Sequence, residues 1–329
     1  MDTIRLGRDG PAVSRAGLGL MAMSGVYGPA DRTESIATIH AALDAGITLF
    51  DTGDFYGMGH NEMLLGEALR GVPRDSVFIQ VKFGAQRGPD GAFLGHSMSP
   101  TAVKTALAYS LQRLGTDYVD LYQPCRLDRN VPIEDTVGAI AELVQAGYVR
   151  HIGLSEMGAG TIRRAHAVHH IAALQIEYSL MSRGIETAIL PAARELGIAV
   201  TAYGVLSRGL IGQTGRDVSA GDPRRQRFPR FQPGNLARNQ ALVDALEVIA
   251  AGRGVTAAQL AFAWVACRGD DIVPLIGTKR RDRLDEAVRA FGIKLSERDL
   301  AAIEAAVPAG QVVGTRYDAG SMAALDSER

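Results

Sequence analysis

Phe50-Asp51-Thr52-Gly53-Asp54-Phe55-Tyr56-Gly57 opens as an apolar strand and closes in polar side chains, and Ile79-Gln80-Val81-Lys82-Phe83 follows the same pattern. These stretches decide the fold because compact apolar runs of this kind recur along the chain. Strands are expected at Ala16–Leu20, Thr48–Asp51, Val77–Lys82, Val119–Gln123, Val149–Leu154, Ala173–Ile176, Ala199–Ala202 and Ile272–Leu275. Between them, apolar positions repeat at helical spacing over Thr33–Leu43, Pro100–Leu114, Ile133–Gln145, Thr161–Val168 and Ile185–Leu196. Eight strand–helix units predict an α/β fold, a (β/α)8 TIM barrel, rather than an open sheet.

Local punctuation agrees. Ser99-Pro100 supplies a hydroxyl cap and a proline for the first helical turn. Gly46, Gly115, Gly147 and Gly197 follow helical stretches, where a left-handed cap suits glycine. A short N-terminal β-hairpin is expected from Thr3–Leu6, a turn at Asp9-Gly10-Pro11 and Ala12–Ser14. Residues 212–238, rich in Gly, Pro and Arg, break the rhythm as a long irregular loop, either functional or a solvated excursion. Two extra helices, near Asn239–Ala251 and Thr256–Cys267, precede the last strand, and the tail beyond Pro308 either covers the barrel mouth or frays.

The 329 residues read as a single barrel domain over 1–329, and 47% hydrophobic content suffices for a large core. A formal net charge of −1 without a basic block argues against nucleic acid or an anionic membrane as partner. Two distant cysteines, Cys125 and Cys267, fit a reduced compartment, and no signal peptide or spanning segment is read, so a cytoplasmic location is expected. Seven scattered histidines show no metal-site spacing.

Asp51, Tyr56 and Lys82 fall where such strands end. A phenol beside an ammonium can give or take a proton near neutral pH if the charge favours phenolate by roughly two to three pK units, each about 1.36 kcal/mol. A buried Asp51 would hold the lysine. The plain alternative is an ordinary buried phenol and an exposed amine.

The chain resembles the aldo-keto reductases over nearly its whole length. The supporting segments are Asp51–Gly57, Asn61-Glu62-Met63-Leu64-Leu65-Gly66-Glu67-Ala68-Leu69, Ser110–Tyr122, Ile152-Gly153-Leu154-Ser155, Gln175-Ile176-Glu177-Tyr178-Ser179 and Pro274-Leu275-Ile276-Gly277-Thr278-Lys279-Arg280, in order and spacing. The resemblance implies a barrel that binds NADPH and moves hydride between nicotinamide and a carbonyl or alcohol. Tyr56 would be the general acid or base, Lys82 would lower its pKa and Asp51 would orient Lys82.

The family's usual catalytic histidine is replaced. In Val119-Asp120-Leu121-Tyr122-Gln123-Pro124-Cys125-Arg126-Leu127-Asp128, register places Cys125 there, and a thiol is a poor donor. Three outcomes are open: Tyr56 alone suffices, another side chain takes the role, or the natural substrate is an alcohol or an unusually reactive aldehyde. His60, near Tyr56 in sequence, is one substitute donor; a nucleophilic Cys125 is another possibility.

The same matching implies the cofactor residues. Gly19 and Met21 would line the path, Ser155 and Gln175 would hold the carboxamide, and Tyr203 would stack on the nicotinamide. Gly204, Val205, Leu206, Arg208 and Gly209 would pass the pyrophosphate. Gly277, Thr278, Lys279 and Arg283 would receive a 2′-phosphate, favouring NADPH over NADH. Glu286 would touch adenine, whereas Ala287 and Glu156 replace customary asparagines. Tyr27, Phe55, Phe83 and Gln123 would line the substrate pocket, with Arg316 and Tyr317 closing over it. Gly17-Leu18-Gly19-Leu20-Met21-Ala22 matches a dinucleotide fingerprint, but Ser24–Pro29 cannot continue as the required helix. A rival function is a cofactor-binding sensor or accessory subunit with low turnover.

Overall fold

The computed structural model describes residues 1–8 and 10–328. It opens with an antiparallel hairpin, β1 (Thr3–Arg5) and β2 (Ala12–Ser14). Leu6 N donates to Pro11 O across the expected turn; Asp9 lies outside the described residues.

The barrel strands are β3 (Gly17–Gly19), β4 (Leu49–Gly53), β5 (Phe78–Phe83), β8 (Val119–Pro124), β9 (Val149–Ser155), β10 (Ile171–Glu177), β11 (Ala199–Tyr203) and β12 (Ile272–Gly277). They close in the order β10-β11-β12-β3-β4-β5-β8-β9, each pair parallel. A second hairpin, β6 (Ala85–Arg87) with β7 (Phe93–His96), follows β5 and was not expected.

Strand alternation explains both ends of the barrel. Leu49, Phe78, Leu121, Ala173, Ala199 and Val273 join Leu6 and Val13 of the hairpin in one buried cluster. The hairpin thus plugs the end where the strands begin. Two and four residues further along the same faces come Asp51, Gln80, Lys82, Gln123, Gln175 and Glu177. The barrel interior therefore runs from apolar to polar, and its polar end is the C-terminal rim, where barrels of this kind build their sites.

An outer layer carries α1 (Arg32–Asp44), α2 (His60–Ala68), α3 (Pro100–Leu114), α4 (Ile133–Gln145), α5 (Ala159–Val168) and α6 (Ile189–Leu196). Ser99 Oγ accepts from Ala102 N at 3.3 Å, with Pro100 in the first turn of α3. The glycines at 46, 115, 147 and 197 take φ of 78°, 67°, 84° and 71°, as a left-handed cap requires.

The 212–238 segment corrects the loop expectation. It contains α7 (Gln213–Arg216), α8 (Pro223–Arg227), a 3-10 turn at Pro229–Phe231 and the first turns of α9 (Pro233–Gly252). Phe228 and Phe231 are buried and anchor it, which composition counts miss. The other helices are α10 (Ala257–Ala266), α11 (Arg281–Arg289), α12 (Glu297–Ala306) and α13 (Ala319–Ala324). No single helix among the described residues is long and apolar enough to cross a membrane.

Candidate active site

Asp51 and Lys82 meet inside the rim because β4 and β5 pair in register, with Asp51 opposite Gln80 and Gly53 opposite Lys82. Asp51 Oδ1 accepts from Lys82 Nζ at 2.5 Å, Gln175 Nε2 at 2.7 Å and Gln80 Nε2 at 2.9 Å. All four side chains are buried. A desolvated carboxylate persists only with such compensation. Gln80 is a site residue that the sequence reading missed, although it shares the inward face of Phe78 and Lys82.

Tyr56 stands on the turn beyond β4. Its N–H donates to Gly53 O at 3.0 Å and its carbonyl accepts from Asn61 N at 3.2 Å. Asn61 accepts from Thr52 Oγ1 and donates to Leu20 O and Ser24 Oγ, which ties the turn to β4 and the β3 loop. Gly57, Met58 and Gly59 take φ of 57°, 54° and 92°. A Cβ on Gly57 would lie 3.0 Å from Ser24 Cβ, so with its left-handed φ this position favours glycine. The Tyr56 ring lies edge-on to Phe55, centroids 4.8 Å apart, and Lys82 Nζ is 5.1 Å from its centroid.

The electrostatics differ from expectation. Burial, reinforced by the negative charge of Asp51, holds the Tyr56 phenol well above its usual pKa, and Arg126 is the cation that opposes this. Burial also lowers the Lys82 ammonium, partly countered by Asp51. The lysine charge is thus largely engaged with Asp51.

Cys125 directly follows β8, its N–H donating to Phe83 O at 2.9 Å. Burial pushes its thiol up to about 12, so it is a neutral thiol and not a nucleophile. His60 turns away, its Nδ1 3.0 Å from Ser24 Oγ at the surface. Phe83 corrects the pocket expectation: it is fully buried and stacked on Tyr122 at 4.2 Å. Alternation puts it on the helix-facing side of β5, opposite Lys82.

The tail covers the mouth. Glu156, in a left-handed conformation with φ of 55°, accepts from Arg316 Nη2 at 2.8 Å, Tyr203 Oη at 2.7 Å and Ser327 Oγ at 2.5 Å. Tyr317 Oη lies 2.8 Å from Tyr203 Oη, and Gly158 N donates to Asp326 at 2.7 Å. Buried Glu177 stands 3.3 Å from Arg316, 3.5 Å from Arg208 and 3.6 Å from Arg230. Burial alone would raise the Glu156 carboxyl, but Arg316 and Arg126 bring it down to about 2. Its folded value lies below the ordinary 4.5, so its stabilisation is complete above that pH and fades as pH falls toward 2. Arg316→Met should therefore speed hydrogen exchange across residues 316–328 by about 10-fold at pH 7, roughly 1.4 kcal/mol of local stability. Unchanged exchange in the tail would show that other contacts hold it.

The remaining predicted residues form two groups around the rim. Ser155 Oγ and both amide atoms of Gln123 are buried without hydrogen-bond partners, as is Arg208 Nη2. Gly19 pairs with Gly277 in the barrel, and Met21 begins a 3-10 turn beside them. Gly204, Ser207, Arg208 and Gly209 all have positive φ, between 48° and 81°, in the tight turn after β11, with Val205 buried and Leu206 half-buried. Arg208 reaches Tyr27 Oη at 3.2 Å and lies over Phe228 and Tyr317. At the start of α11, Thr278 Oγ1 accepts from Arg280 N, and Lys279 Nζ donates to Gly28 O at 3.2 Å. Arg283 pairs with Glu286 at 2.9 Å, and Glu286 also accepts from Thr256. A depression of about 860 Å³ opens at the opposite end of the barrel, among Arg5, Arg8, Arg15, Arg194 and nearby aspartates. It is far from these groups, so its volume does not locate the site.

The profile of the aldo/keto reductase family matches residues 15–308. A probable aldo-keto reductase 1 of Glycine max is 45% identical over 320 residues, covering 95% of this chain and 91% of the relative. Among solved structures, the glycerol dehydrogenase AKR11B4 from Gluconobacter oxydans superposes with a TM-score of 0.84 at 31% identity, over 93% of this chain and 94% of that one. The holo form of aldo-keto reductase AKR11C1 from Bacillus halodurans gives 0.79 at 26% identity, over 94% and 97%.

Proposed function

Because the chain belongs to the aldo/keto reductase family, we propose that it is an NADPH-dependent oxidoreductase interconverting an aldehyde or ketone and its alcohol, with Tyr56 as general acid and base. The observation that carries this reading is the buried Asp51–Lys82 pair against the Tyr56 ring at the C-terminal rim.

When bound, a reduced nicotinamide supplies the hydride. The chain's own residues fit such a group: the unpartnered Ser155 Oγ and Gln123 amide are buried donors and acceptors without a role in the folded chain. Ser155 would hold the carboxamide and Tyr203 would flank the ring. Gln175 donates to Asp51, so in this arrangement its amide nitrogen positions the catalytic carboxylate. The turn at Gly204–Gly209 and Arg208 would meet the pyrophosphate, and the tail over Tyr203 would exclude water. Tyr56 Oη gives its proton to the substrate oxygen in reduction and takes it back in oxidation, while Asp51 and Lys82 fix the geometry. A reduced, cytoplasmic setting is part of the proposal, supported by two free cysteines.

The test is NADPH oxidation with aldehydes, ketones, sugars and pyridoxal. Turnover with at least one carbonyl class is expected; tight NADPH binding without turnover on any would favour the sensor reading. Coenzyme choice is a separate prediction. Lys279 and Arg283 are partly exposed, and to meet a phosphate they would exchange their contacts with the Gly28 carbonyl and Glu286. With charged hydrogen bonds worth about 1.5–3 kcal/mol each, Lys279→Ala with Arg283→Ala should raise the Kd for NADPH by at least about 100-fold and leave NADH within about 3-fold. Equal losses for both coenzymes would count against a phosphate role.

A further inference from the structure

The replacement of histidine by Cys125 leaves the substrate oxygen without its second donor, and the next residue is the one placed to supply it. Arg126 follows β8 at the C-terminal rim and is half-buried. Its Nη1 folds back onto the carbonyl of Cys125 at 2.5 Å. No carboxylate pairs with it among the described residues. The other rim arginines differ: Arg208, Arg230 and Arg316 each stand within 3.6 Å of Glu156 or Glu177. A desolvated guanidinium without a counterion is costly in a folded protein unless something else compensates it.

The side chains around Arg126 belong to the proposed reaction site. Its charge is felt by Tyr56, Lys82, Cys125 and His96, and it in turn feels Tyr203, Tyr317 and Glu156. Among these, Arg126 is the leading cation favouring ionisation of the Tyr56 phenol. Of these groups, only the Cys125 carbonyl accepts a hydrogen bond from the guanidinium among the described residues. Its remaining N–H groups are unspent.

We propose that the Arg126 guanidinium, in place of an imidazole, is the second hydrogen-bond donor to the substrate oxygen beside Tyr56. The inference rests on the carbonyl-reductase reading. In reduction, hydride forms the new C–H bond and the carbonyl π pair moves onto oxygen. That oxygen takes the Tyr56 Oη proton, and water restores the phenol. Arg126 stays protonated throughout, because a guanidinium does not titrate in the working range. Its part is to stabilise the negative charge that develops on oxygen and, after transfer, on the phenolate. Unlike an imidazole donor, it gives no loss of activity from its own titration near neutrality.

The test compares Arg126→Met, Arg126→Lys and Tyr56→Phe with the unaltered enzyme, using 4-nitrobenzaldehyde and NADPH. Removing one oxyanion donor typically costs 10²–10³-fold, so Arg126→Met should lower kcat/KM by about 100-fold with the Kd for NADPH unchanged. Arg126→Lys should recover about tenfold of that loss. The pH at which the basic limb of the rate profile falls should rise in Arg126→Met, an effect that lost packing alone would not produce. Full activity of Arg126→Met beside an inactive Tyr56→Phe would overturn the role of Arg126 while the reductase reading stands. Loss of NADPH binding in Arg126→Met would equally overturn it. Full activity of both variants would overturn Arg126 and Tyr56 alike as donors, and absence of turnover by the unaltered enzyme on any carbonyl is the separate result that would sink the reductase reading itself.

Discussion

Tyr56→Phe should lower kcat by roughly 10²–10⁴-fold, the usual range for a positioned acid–base group, while NADPH binds as before. The substitution is unusually clean here. The Tyr56 hydroxyl has no hydrogen-bond partner among the described residues, so removing it leaves nothing buried and unpaired. The ring keeps its edge contact with Phe55 and its place beside Lys82. The turn beneath it is held by backbone bonds to Gly53 and Asn61 that phenylalanine preserves. Thermal stability should therefore stay close to that of the unaltered protein. Steady-state assay, coenzyme fluorescence and a melting curve together separate lost chemistry from lost structure. Turnover within about threefold of the unaltered enzyme would remove Tyr56 as proton donor.

Lys82→Met should cost both activity and stability. Asp51 is buried and its Oδ1 accepts from Lys82, Gln175 and Gln80. Without the ammonium, two neutral amides remain against a full negative charge. Breaking a buried ion pair from one side typically costs about 3–5 kcal/mol, and the surviving amide donors place the expected value at the lower end. Asp51→Asn added to Lys82→Met removes the stranded charge and should recover most of that loss, as read by denaturant unfolding. Activity should recover in neither variant, because the proton donor is then unoriented. A double variant as unstable as the single would show that packing, rather than the uncompensated carboxylate, sets the cost.

The architecture was legible because each barrel strand is a short, mainly apolar run, with polar residues toward its C-terminal end, separated from the next by a helical pattern. All eight strands lie within a few residues of their expected limits. The hairpin of Ala85–Arg87 and Phe93–His96 was not legible, since half of it is exposed and it carries no sustained alternation. Residues 212–238 looked irregular because Gly, Pro and Arg dominate their composition, while Phe228 and Phe231 do the anchoring. In the site, Asp51 and Lys82 could be placed from strand ends alone. Phe83 was misplaced because its neighbour Lys82 points inward and alternation turns Phe83 outward. The Glu156–Arg316 pair joins residues 160 positions apart, a separation at which no local pattern carries information. Arg126 stood in plain view beside Cys125, but its half-burial at the rim and its lack of a carboxylate partner among the described residues, which set it apart from a surface arginine, show only in the structure.

The reading as a whole is tested most directly by isotopic transfer. With NADPH carrying deuterium at the transferring carbon and an aldehyde that supports turnover, the alcohol formed should gain one deuterium at its carbinol carbon. Its hydroxyl proton should come from solvent by way of Tyr56, and Tyr56→Phe should slow label transfer by the same factor as turnover. An alcohol without the label, or one formed by Tyr56→Phe as fast as by the unaltered enzyme, would contradict the account.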